Sequence, residues 1–92
     1  MKETLRRSKQ DIIYDMLRAI QTKGGTIKPT HLLYKSNLSH QRMKQYIEEL
    51  RERRLIEERQ QEEKTVIILT QTGYEFLQKF QQLKAFTDTF GL

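Results

Sequence analysis

The chain has 92 residues, 36% of them apolar, enough for one small core and too few for two. It carries 17 Lys and Arg against 12 Asp and Glu, a formal net charge of +5, and no cysteine, which excludes disulfides and thiolate zinc sites and fits a reducing, cytoplasmic setting. No apolar run approaches the roughly 18 residues that span a bilayer, and residues 1–10, MKETLRRSKQ, lack the apolar core of a signal peptide, so no membrane partner is expected.

Ser8, with Asp11 three residues on, has the form of a capping box, and Ile12, Ile13, Met16, Leu17 and Ile20 recur at helical spacing, so a first helix is predicted over residues 9–23. Gly24 and Gly25 end it. Ile27 has room for one or two ladder bonds before Pro29 stops the strand and opens a second helix, over residues 30–36, with Leu32 and Leu33 inward. Asn37 suits the left-handed conformation that follows, Leu38 plugs the turn against the core, and Ser39 caps a third helix. Three residues between helices is a spacing that suits a helix-turn-helix.

The third helix, predicted within residues 39–54, places Met43, Ile47 and Leu50 on an inward stripe with Tyr46 beside it. Its other face reads as polar and mostly basic, with His40, Gln41, Lys44 and Gln45 toward the N-terminal end and Arg42 and Arg51 at the flanks. That end of a recognition helix presents side chains to base edges in the major groove. Glutamine pairs in bidentate fashion with adenine, arginine meets guanine or phosphate, and lysine meets phosphate, which makes this the candidate DNA-reading surface; a merely solvated helix face is the competing account. The charge agrees with the first account, since residues 1–54 hold 13 basic and 6 acidic residues while residues 55–92 hold 4 and 6.

Leu55 and Ile56 begin a strand, residues 57–64 have the polarity of a turn, and residues 65–69, TVIIL, form a returning strand, which together make a two-stranded wing. Glu57, Glu58, Glu62 and Glu63 crowd its tip against Arg59 and Lys64. Phosphates repel carboxylates, so this wing should grip DNA weakly, with Arg59 its best contact; Gln60 or Gln61 is a weaker candidate for a minor groove.

Thr70 caps a last helix over residues 71–89, Gly73 stands where a side chain would block close packing, and Tyr74 and Leu77 can return to the core. Phe76, Phe80, Leu83, Thr87 and Phe90 then fall at spacings of four, three, four and three, a heptad-like stripe. Such a helix is about 28 Å long, more than a domain of this size needs to cover its core. The stripe requires a cover, either a second copy in an antiparallel pair or the first helix of the same chain.

Taken in order, these elements predict a mostly α fold with a small β-wing, a winged helix-turn-helix with a long C-terminal helix; pairing of that helix with a second copy would make an antiparallel coiled-coil dimer. Residues 1–70 would be the DNA-binding part and residues 71–92 the dimerisation helix of one compact unit.

The stretch TKGGTIKPTHLLYKSNLSHQRMKQYIEELRERRLIE with LTQTGYEFL resembles the archaeal winged-helix family of small basic proteins that includes the 10a-type chromatin proteins. The similarity covers residues 8–83 and is most specific in Leu33-Tyr34-Lys35-Ser36-Asn37-Leu38-Ser39, in Tyr46 with Leu50, in Leu55-Ile56, and in Leu69-Thr70 with Gly73. It implies a dimer with two DNA-reading heads, with Ser39, His40, Gln41, Arg42, Lys44 and Gln45 on the recognition helix, Lys35 just ahead of it, and the stripe from Phe76 to Phe90 as the dimer seam. It also implies a nucleoid-associated protein, of cellular, viral or plasmid origin. The acidic wing and the short final helix depart from the family pattern.

Catalysis finds no support in the sequence. His31 and His40 stand nine apart with no cysteine or orienting acid, and Gly24-Gly25 is a helix stop and not a phosphate cradle, so no enzyme, cofactor, metal site or small-molecule ligand is expected. The favoured function is a dimeric transcription regulator or chromatin-associated protein whose partner is double-stranded DNA. A winged-helix protein-interaction module and an RNA-binding protein are the alternatives, because the fold serves all three.

Overall fold

A computed structural model describes residues 8–92; the reading of the N-terminal segment falls largely on residues 1–7, outside them. Helix α1 (Lys9–Thr22) opens at Ser8, whose Oγ accepts from the Asp11 N–H at 3.1 Å while the Asp11 carboxylate accepts from the Ser8 N–H at 3.4 Å. The helix stops one residue earlier than predicted. Gly24 and Gly25 both take positive φ, 88° and 98°, and the Gly25 N–H returns to the Ile20 carbonyl at 2.9 Å. A Cβ at Gly25 would also lie 2.6 Å from the Tyr74 hydroxyl, so the tyrosine would have to shift, but it is the positive φ that favours glycine here.

Strand β1 (Thr26–Ile27) leads into α2 (Pro29–Ser36), with Pro29 itself the first helical residue. Asn37 adopts φ 56° in the left-handed region, and α3 (His40–Glu52) starts at Ser39, whose hydroxyl accepts from the Arg42 N–H at 3.1 Å. The two helices and the three residues between them therefore form the expected helix-turn-helix, with Leu38 packed on the edge of the core.

The wing is longer than predicted. Strands β2 (Ile56–Gln61) and β3 (Lys64–Leu69) pair antiparallel from Ile56 opposite Leu69 to Gln61 opposite Lys64, so the expected turn over residues 57–64 shrinks to Glu62-Glu63. Polarity there signalled exposure and not a loop. A ribbon is held by its ladder and by cross-strand pairs such as the Gln60 amide donating to the Thr65 hydroxyl at 2.8 Å, so it needs no apolar alternation at its tip. Glu62 and Glu63 have φ 47° and 67°, the positive pair that a two-residue hairpin of matching twist demands. β1 adds to the far edge of β3, giving a three-stranded antiparallel sheet in the order β1-β3-β2.

The core lies between α1 and this sheet. Met16, Leu17 and Ile20 meet Leu32, Leu50, Ile56 and Ile67, all fully buried, with Leu33, Leu38 and Tyr46 on the rim. Helix α4 (Gln71–Thr89) is fastened to the base of the wing through Thr70, which accepts from the Gly73 N–H at 3.0 Å and donates to the Arg54 carbonyl at 2.6 Å. A Cβ on Gly73 would strike the Leu55 carbonyl oxygen and approach Leu69 Cδ1 to 2.5 Å, so glycine is what lets α4 lie this close. Leu77 seals the core. The described residues span 48 × 29 × 22 Å, the length fitting an α4 that outruns the core its first turns cover.

Candidate nucleic-acid interface

With about 100° per residue, α3 divides cleanly around its buried Met43, Ile47 and Leu50. Gln41, Gln45, Glu48 and Glu52 fall on the opposite, outward strip, and all four are exposed. Lys44, Arg51 and His40 flank it on the wing side, where with Glu48 and Glu58 they line a groove of about 280 Å³. Arg42 and Glu49 flank it on the α1 side, where with Lys9, Gln45 and Tyr46 they border a shallower hollow of about 220 Å³.

Ion pairing separates the two ends of this helix. Arg51 reaches Glu58 of β2 at 2.5 Å, clasping the wing, and Arg53 reaches Glu49 at 3.4 Å, where Lys9 of α1 also binds at 2.7 Å. The cations of the C-terminal half are thus already matched by carboxylates. Arg42 and Lys44, in the first two turns, have no carboxylate partner among the described residues; Arg42 lies over the Tyr46 ring, 5.8 Å from its centroid. The helix face expected to be mostly basic is therefore cationic and amide-bearing only at its N-terminal end, and its central strip turns acidic at Glu48 and Glu52. The helical wheel held that division, but which flank meets the wing depends on tertiary packing.

Among the other predicted DNA-contacting residues, Ser39 is exposed with its hydroxyl engaged as the helix cap, and Lys35 is exposed in the last turn of α2 beside the open ring of Tyr34. Arg59 is set apart. It bonds Glu57 at 2.9 Å, and alternation along β2 puts it on the sheet face opposite to that of Glu58, which meets α3.

The predicted seam is also divided. Phe76 and Phe80 are half-buried and stack together at 5.9 Å, and Phe80 stacks on Tyr14 of α1 at 4.8 Å. The Tyr14 hydroxyl accepts from the Gln81 amide and the Arg18 guanidinium, which hold its pKa below the ordinary phenol value. Further along, Leu83 and Phe90 are about 60% exposed, as is Phe86, which the heptad reading passed over. Phe86 and Phe90 touch at 5.0 Å, the i, i+4 pairing that was its available signal. Thr87 is half-buried and helps line a hollow of about 190 Å³ with Asp11, Phe80, Leu83 and Lys84.

A helix-turn-helix followed by a paired-strand wing and a long terminal helix is winged-helix architecture. Residues 6–88 match the winged helix-turn-helix family, and the chain belongs to it. Sso10a-2, a DNA-binding protein from Sulfolobus solfataricus, has the same fold at a TM-score of 0.77 and 13% identity, over 91% of this chain and 85% of that one. F93 from STIV, a winged-helix DNA-binding protein, gives 0.75 and 14%, over 84% and 90%. Bordetella bronchiseptica BpsR, whose DNA binding is regulated by 6-hydroxynicotinic acid, gives 0.72 and 16%, over 85% of this chain and 58% of that one. No protein of curated function matches in sequence. The likeness to archaeal and viral winged-helix proteins read from the sequence is thus present in the fold.

Proposed function

We propose that this protein binds double-stranded DNA as a homodimer, inserting the N-terminal half of α3 into the major groove, and that it acts as a transcription regulator or chromatin-associated protein of the nucleoid. The observation that carries this reading is the asymmetry of α3: its carboxylate-free cations, Arg42 and Lys44, flank the outward amides of Gln41 and Gln45, and all four are exposed. Unpaired cations release phosphate counterions on binding, whereas paired ones must first break a contact. Ser39, His40 and Lys35 border this end, and Arg59 joins only if its pair with Glu57 opens. For the dimer, Leu83, Phe86 and Phe90 give an apolar surface that is costly in water, and the hollow beside Thr87 would take a partner's side chain.

The test is a binding series on random and selected duplexes at two salt concentrations. Specific binding exceeds non-specific by roughly 10³ to 10⁷ in affinity, so a large ratio marks a dedicated regulator and a ratio near one marks chromatin-type coating. Absence of salt-dependent binding to either duplex ends the proposal in favour of a protein-interaction module.

A further inference from the structure

The outward strip of α3 contains a group that works against plain phosphate binding. Glu48 is exposed, and among the described residues its carboxylate has no hydrogen bond or ion pair. Its near cations do not serve it: Arg51, three residues on, is taken by Glu58 at 2.5 Å, and Lys44, four residues back, makes no ion pair among the described residues. A bare carboxylate on the face that approaches a polyanion lowers general affinity, so the position is disfavoured for binding alone. It suits discrimination.

We infer that Glu48 is a specificity-determining residue that accepts a hydrogen bond from the exocyclic amine of a cytosine in the major groove; this rests on the DNA-binding reading of α3. Cytosine alone presents only a donor on its major-groove edge, while guanine and thymine present acceptors that repel a carboxylate. Gln41, Gln45 and Glu48 rise along one strip by about 10 Å, roughly three base steps, so the three side chains address successive positions of one site. Glu52 shares the strip but lies about 6 Å further toward the C-terminal end, beyond that reach.

The experiment is selection of binding sites from a random duplex library by the full chain and by Glu48→Ala, Glu48→Gln and Glu52→Gln. All three substitutions are on exposed positions, and circular dichroism confirms the fold of each. The wild type is expected to prefer cytosine at one position of each half-site by about ten-fold or more. Glu48→Ala loses that preference, Glu48→Gln moves it to adenine, and Glu52→Gln keeps it, although both glutamine variants gain the same unit of charge. Unchanged base frequencies in both Glu48 variants overturn the inference, as does a wild type that binds duplexes without selecting any sequence. A wild type that binds no duplex overturns instead the DNA-binding reading on which it rests.

Discussion

The Tyr14 ring of α1 stacks on the Phe80 ring of α4 with centroids 4.8 Å apart and planes 19° from parallel. Phe80 is therefore partly covered inside its own chain, and the largely exposed apolar surface of α4 begins at Leu83.

This division separates two kinds of substitution. Phe80→Glu should lower the stability of the fold by about 1–3 kcal/mol, since it removes a stacked, half-buried ring, and denaturant titration measures it. Phe86→Glu with Phe90→Glu leaves that contact intact, so helical circular dichroism should persist while sedimentation reports half the wild-type mass. A dimer mass retained in the double variant would remove the proposed seam.

Neutralising Arg42 and Lys44 together tests the reading helix. Each phosphate contact contributes about 0.9 to the slope of log affinity against log salt, so the pair should flatten that slope by up to roughly 1.8 and weaken binding to all sequences. Arg51→Gln is the control, because its guanidinium is committed to Glu58. If the Arg51 variant loses more salt dependence than the double variant, the DNA face lies toward the wing and not at the start of α3.

The parts of the fold that the sequence made legible are those whose cause is local. Ser8 with Asp11, Gly24-Gly25, Asn37, Ser39 and Thr70 each mark a helix end by chemistry confined to a few residues, and each marks it in the structure. The wing is present as expected, but its length was not legible, because its strands are stabilised across the ladder and not by apolar alternation, and because Glu62-Glu63 lacks the usual residues of a positive-φ turn. Tyr14 as the partner of Phe80, and Glu58 as the partner of Arg51, are products of packing between elements, which residue spacing does not encode. The exposed polar face of α3 was therefore legible from its spacing, but the pairing that distinguishes its two ends was not.

The network at Glu49 gives a pH prediction. The hydrogen bond from the Lys9 ammonium, against an opposing desolvation and with help from Arg53, holds the Glu49 carboxyl below its ordinary 4.5. A carboxyl depressed in the folded state adds stability above its ordinary value and loses it as pH falls through the depressed one. Lys9→Ala should raise the Glu49 midpoint toward 4.5, read by carboxyl NMR titration, and should make the acid limb of stability shallower. Identical midpoints in the two proteins would show that the ion pair does not persist in water.

Finally, the wing tip carries a removable penalty. Glu62 and Glu63 hold φ of 47° and 67°, a conformation that disfavours most side chains, and they place two carboxylates at the turn itself, away from Glu57 and Glu58 at the base of the ribbon. Glu62→Asn with Glu63→Gly supplies the residue pair that this turn prefers, so the double variant should gain about 0.5–1 kcal/mol in denaturant titration. The same change removes two negative charges, and if the wing faces phosphate it should also raise general DNA affinity. The two readouts are separable. A gain in stability with no change in affinity would place the wing tip away from the duplex, whereas a loss of stability would mean that the glutamates make contacts at the turn which outweigh their backbone cost.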